Sequence, residues 1–318
     1  MKKKLKDAYR VLVNFSETFE MMFLRDNSDY LLRIAILMKD RIDEILGDDD
    51  FYYDEEVSII DSLAITREFL SYVKPEYETD FDNLITNGSF NIFDVDEESD
   101  RELYSDEAYF DHNFESGNFF FNIPATHTIE DVYILVHEYI HKTNAKVETS
   151  FDRDMLTEAA SILYEFLLFD WLVSMGISRN EAVNGVLYRL EDIYEKADLI
   201  IDYAKMSQYY DKHIDKFKIS KLKLSEEDSE VEEWMDNFED DIHYFFAGLI
   251  AIFVYFNYKK GKLGIKNIVS FSEKLNEHND LESLDFLVGD LPEEEELYEM
   301  FDLLEEDLNK NRVRILEK

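Results

Sequence analysis

The sequence holds no cysteine at all. That excludes disulfides and thiolate metal sites, so any bound metal has to rest on His, Asp or Glu. Proline occurs three times and glycine nine times in 318 residues, so long helices are rarely interrupted. Positive charge is scarce: 33 Lys and Arg against 73 Asp and Glu leave a net charge of −40. A nucleic-acid backbone repels such a surface, which argues against DNA or RNA as a partner. Long apolar runs are missing too. The richest, Ala247 to Phe256, falls short of the roughly 20 residues a bilayer-spanning helix needs. The basic start at Met1 to Lys6 runs into charge, not into the apolar stretch of a signal peptide. The expectation is a cytoplasmic protein with no membrane partner.

What is present is material for a core. Hydrophobic residues make up 46% of the chain and aromatics 15%, a globular composition. Apolar residues recur mostly at helical spacing. The pattern predicts helices over 5–24, 30–46, 57–73, 129–145, 154–175, 179–212, 230–258, 265–277 and 293–309. Gly47 ends the second and Pro75 follows the third; Ser178 with Glu181 is a capping signal. Residues 76–128 read differently, with a turn at Asn87-Gly88 and a short strand at Phe119 to Ile123, between Gly117 and Pro124. The fold class expected is mainly α with a short β element. Residues 1–110 form a helical N-terminal region of the same domain, and 111–318 form its functional core.

The chemistry concentrates in Val136-His137-Glu138-Tyr139-Ile140-His141, an H-E-x-x-H sequence on an amphipathic helix. Thr128 and Asp131 can cap that helix. Val132, Leu135, Val136, Tyr139 and Ile140 supply its apolar stripe. Two histidines four apart share one helical face and can hold a single ion. Zinc suits neutral imidazole and carboxylate ligands, and Glu138 is then placed to take a proton from water. Positions 144 and 147 are Asn144 and Val147, so the extended three-histidine form is absent. A carboxylate on the next helix is the alternative. Glu158 lies 17 residues after His141 (158 − 141), which allows an antiparallel return, and Ala159, Ala160 and Ser161 let that helix pack closely. Glu148, Asp152 and Asp154 are the competing carboxylates. Glu165, two turns beyond Glu158, is a natural partner for a ligand histidine.

Three stretches resemble the oligopeptidase F and thimet-oligopeptidase group of gluzincin zinc peptidases. These are Thr128 to His141, Thr157-Glu158-Ala159-Ala160-Ser161 with Glu165, and, more loosely, Tyr244 to Ala251. The resemblance implies a helical zincin-type core with its strand near the cleft, one Zn2+, and cleavage of short peptides in a channel. It implies His137, His141 and Glu158 as ligands and Glu138 as base. It points to His243 and Tyr244 as donors to the oxyanion. It also places Phe119, Phe120 and Phe121 on an edge strand beside the substrate, where backbone pairing with a peptide is available. Departures are Ile140, where the family has Gly, and Lys142-Thr143-Asn144, where it has a further His. The chain is also shorter than family members. The reading is a zinc metalloendopeptidase. Its rivals are a metal-binding protein of this fold without turnover, and a helical interaction protein. His112, His127, His213 and His278 lack a motif and read as structural or exposed.

Overall fold

Helix dominates because so little interrupts it. The computed structural model describes residues 19–47, 56–94, 108–113, 118–144, 151–177, 179–213, 229–275 and 294–311. Along these run α1 (Phe19–Leu46), α2 (Ile59–Val73), α3 (Pro75–Thr86), β1 (Phe90–Asp94), β2 (Tyr109–Asn113), β3 (Asn118–Ala125), α4 (Glu130–Asn144), α5 (Phe151–Met175), α6 (Arg179–His213), α7 (Ser229–Lys259), α8 (Ile265–Leu275) and α9 (Glu294–Asn311). The fold is mainly α with one small sheet.

Two units divide these elements. The first comprises α1, the stretch of α6 from Leu190 and the stretch of α7 up to Phe246. Its core lines up Leu31, Ile34, Ala35, Met38 and Ile42 on α1 with Leu190, Ile193, Ala197, Ile200 and Ala204 on α6, all buried at helical spacing. Lys39 pairs with Asp198. The buried Asp241 accepts from Lys196 at 2.7 Å and from the Tyr203 hydroxyl at 3.0 Å. The helix α1 runs unbroken through Asp26 to Asp29, where the sequence pattern suggests a gap between two helices. Residues 5–18 of the expected first helix lie outside the described residues. Gly47 stops α1 in the left-handed region at φ 68°, which glycine adopts without a Cβ clash.

The second unit takes the described residues from Glu56 to Arg189 and from Ala247 onward. Ser58 caps α2, its Oγ accepting from the Asp61 N–H at 3.2 Å. Pro75 does more than end α2: it opens α3 at its first turn, where its missing N–H costs nothing. Lys74, extended at φ −158°, serves as the joint between the two helices.

The sheet order is β1-β3-β2, with β1 parallel and β2 antiparallel to β3. This corrects the edge-strand expectation. The strand carrying Phe119, Phe120 and Phe121 is the central one. Phe119 is paired with His112, Phe120 with Asp111, and Phe121 with both Phe110 and Phe90. Its pairing with β2 runs from Asn118 to Asn122 and its pairing with β1 from Phe121 to Ala125. Phe121 is fully buried and stacks on Phe90 at 4.5 Å.

Against β2, β3, α2, α5 and α8 lies α4. The expected stripe of Val132, Leu135, Val136, Tyr139 and Ile140 is fully buried, and burial extends to Tyr133, His137 and Glu138. A helix covered on so many sides carries ionisable side chains into the interior, where each needs a partner. Asp241–Lys259, in α7, is long and apolar enough to cross a membrane, with mean hydropathy 1.2, but 89% of it is buried inside the protein. It is the one such stretch among the described residues.

Candidate metal centre

The start of α4 is fixed by a carboxylate facing backward. Asp131 accepts from the backbone N–H of Thr126 at 2.8 Å, from its hydroxyl at 2.9 Å, and from the N–H of His127 at 3.0 Å. Thr128 Oγ1 accepts from the Glu130 N–H at 3.2 Å. Burial pushes the Asp131 carboxyl above its usual range, against those hydrogen bonds. The cost of this joint is His127, held in the left-handed region at φ 57° with its ring exposed against Asp94 at 2.6 Å.

From that anchored start, one turn of α4 presents His137 and His141 side by side. Their Nε2 atoms lie 2.9 Å apart. Across from them, α5 presents Glu158. Its Oε1 is 3.1 Å from His141 Nε2, and its Oε2 is 3.4 Å from His137 Nε2. The close return of α5 follows from its small residues Ala159, Ala160 and Ser161, all buried.

The three residues offer two imidazole nitrogens and a carboxylate, all within 4.8 Å of one another, and could hold a metal ion. Tetrahedral zinc with bonds near 2.0–2.1 Å separates its ligands by about 3.3–3.4 Å, close to these spacings. Among the described residues Glu158 Oε2 is buried with no hydrogen bond, 3.4 Å from His137 Nε2. Two imidazoles and a carboxylate are donors compatible with zinc, so the residues fit the group.

Behind the cluster, Glu165 is buried at 2% exposure. It accepts from His137 Nδ1 at 2.5 Å. With Nδ1 engaged by Glu165, Nε2 is the ring nitrogen that faces Glu158 and His141. Arg189, on α6, donates to both oxygens of Glu165, Nε to Oε2 and Nη2 to Oε1, each at 2.8 Å. No motif or spacing in the sequence marks Arg189, one of several charges on a long helix.

Electrostatics follow from this crowding. For His137, burial opposes the charged form, but the Glu158 and Glu165 carboxylates outweigh it and push its pKa up to about 10. For Glu158, burial is outweighed by the two histidines, which hold it well below the usual carboxylate range. Glu165 is likewise held low, burial being overcome by the Arg189 charge and the His137 hydrogen bond. A divalent cation and a proton therefore compete for the same three atoms.

Glu138 is buried at 7% exposure and makes no hydrogen bond or ion pair among the described residues. His243, buried, and Tyr244, half-buried, stand in the first unit, where Lys196 lies over the Tyr244 ring at 5.8 Å. Phe119 faces Lys142, whose ammonium is 5.1 Å from its ring centre, while Phe120 is exposed beside Tyr109. Ser178 and His278 lie outside the described residues.

No protein-family model and no curated protein matches the sequence. Two solved structures share the fold. One is PZ peptidase A with an inhibitor, at TM-score 0.54 and 12% identity, matched over 94% of this chain and 60% of that one. The other is assigned as a peptidase from Chlamydophila abortus, at TM-score 0.50 and 15% identity, matched over 96% of this chain and 55% of that one. The chain thus spans little more than half the length of the proteins it is similar to. At these identities the likeness establishes the fold.

Proposed function

We propose that the chain is a zinc-dependent peptidase acting on oligopeptides, with His137, His141 and Glu158 as ligands and Glu138 as general base. The observation that carries the reading is the convergence of three metal-suited donors, with the largely buried Glu138 next to His137 on the same helix. The shared fold of two peptidase structures supports it.

A zinc ion held by these residues supplies a Lewis acid for the peptide carbonyl and makes water acidic enough to lose a proton near neutral pH. Glu138 accepts that proton as the water oxygen bonds to the carbonyl carbon. It then returns the proton to the amide nitrogen as the C–N bond breaks. Glu165 holds the proton on Nδ1 of His137 throughout. A hydrogen bond to the developing oxyanion is also needed, and His243 and Tyr244 are its candidates on the strength of the sequence alone.

The test is zinc content by elemental analysis, joined to cleavage of a quenched peptide library. Wild type should carry one zinc and cleave. Glu138→Gln should keep the zinc and lose cleavage. Absence of metal after zinc-replete purification removes the reading. Cleavage undiminished in Glu138→Gln overturns the assigned base. Zinc without cleavage in wild type leaves a binding module of the same fold.

A further inference from the structure

We infer that Arg189 is a positioning residue for the metal centre: its guanidinium clamps Glu165 so that His137 presents Nε2 to the ion. The inference rests on the metal reading above and adds to it a residue from a third helix.

The clamp begins with a register match. Tyr133 and His137 lie four apart on one face of α4, and Gly185 and Arg189 lie four apart on one face of α6. The first pair touches: the Tyr133 hydroxyl donates to the Ala182 carbonyl at 2.7 Å, and its ring sits where a Cβ on Gly185 would be, 2.1 Å from the nearest ring carbon. Only a residue without a Cβ lets the helices approach so closely. One turn on, the same approach brings Arg189 Nη2 to 3.5 Å from His137 Nδ1 and sets its fork on Glu165.

The fork matters because of what Glu165 lacks otherwise. A glutamate has three rotatable side-chain bonds, and one hydrogen bond to a histidine fixes few of them. Two parallel N–H donors fix the carboxylate plane. Oε1 then receives both Arg189 Nη2 and His137 Nδ1, so the imidazole ring is oriented by a group that cannot turn. Lysine would supply the charge without the fork.

The experiment compares zinc affinity, by chelator competition, for the full chain and for Arg189→Met, Arg189→Lys, Glu165→Gln and Arg189→Met with Glu165→Gln. A second readout is the proton resonance of His137 Nδ1–H in zinc-free protein. Loss of an orienting partner typically weakens metal binding about 10- to 100-fold, and Arg189→Met should fall in that range. Arg189→Lys should recover only part of it. The double variant should bind no more weakly than Glu165→Gln alone, because Arg189 acts through Glu165. The Nδ1–H resonance should be visible in wild type and lost in Arg189→Met. Zinc affinity within twofold of wild type in a folded Arg189→Met, or independent multiplication of the two single losses, overturns the inference. Should Arg189→Met not fold, Arg189→Lys carries the same comparison. If wild type binds no zinc, the metal reading fails, and the resonance alone decides the role of Arg189.

Discussion

Replacing Gly185 with alanine should destabilise the protein, and the sign of that effect should reverse when Tyr133 is first shortened. The added Cβ would lie 2.1 Å from one Tyr133 ring carbon and 2.4 Å from two others, far inside van der Waals contact. The ring is 4% exposed, so it is packed inside the protein. Forcing extra volume into a packed interior costs about 1–3 kcal/mol. Displacing the ring also breaks the Tyr133 bond to the Ala182 carbonyl, worth about 1 kcal/mol. Against this, alanine inside a helix is favoured over glycine by about 1 kcal/mol. The last two offset each other, leaving a net loss of about 1–3 kcal/mol. In a Tyr133→Ala background the clash and the bond are both gone. Only the helix preference remains, so Gly185→Ala should there stabilise by about 1 kcal/mol. Urea denaturation followed by circular dichroism on the four proteins reads all terms. An unchanged midpoint for Gly185→Ala in wild type, or the same destabilisation in both backgrounds, would refute the packing argument.

The pH dependence of the zinc-free protein carries a definite sign. His137 moves from an ordinary 6.5 to about 10 on folding, so its contribution to stability is complete below about pH 6.5 and is lost as pH rises through about 10. Melting temperature against pH, compared between wild type and His137→Gln, should show a wild-type advantage that shrinks across that window. Zinc uptake from the same state should release protons, measurable with a pH indicator. Asp131→Ala strips the acceptor from two backbone N–H groups at the start of α4 and should cost about 2–4 kcal/mol, with Asp131→Asn keeping part of it. Lys259 bridges Asp170 at 2.9 Å and Asp307 at 2.8 Å, tying α5 to α9; Lys259→Met should cost about 2 kcal/mol, partly restored by adding Asp170→Asn. Chemical denaturation measures both.

The helices that matter for the site are legible because their signals are local. His137, Glu138 and His141 sit in one compact motif, and the stripe from Val132 to Ile140 points one way. Glu158 and Glu165 are legible through seven-residue spacing on a small-residue helix. The sheet is not legible in the same way. Phe90 to Asp94 pairs with a strand about thirty residues later, and nothing within either segment encodes that partner or the parallel direction. The edge position expected of the Phe119 strand comes from the family resemblance, which carries no sign of β1 beside it. Pro75 misleads because proline ends one helix and opens another with equal ease. The pattern breaks between the helices expected over 5–24 and 30–46, yet one helix runs through, with Ser28 buried and Leu31 to Ile42 packed in the core. Arg189 escapes because its partner is 24 residues away (189 − 165) on a different helix, and one arginine among many charges has no pattern.

The candidate ligands, the proposed base and the carboxylate that orients the first histidine all fall between residues 137 and 165, on two helices consecutive in the chain. Little chain separates the two helices, Asn144 ending one and Phe151 opening the next, so bringing them together costs little closure entropy and can happen early in folding. A centre gathered so locally depends little on how much scaffold surrounds it.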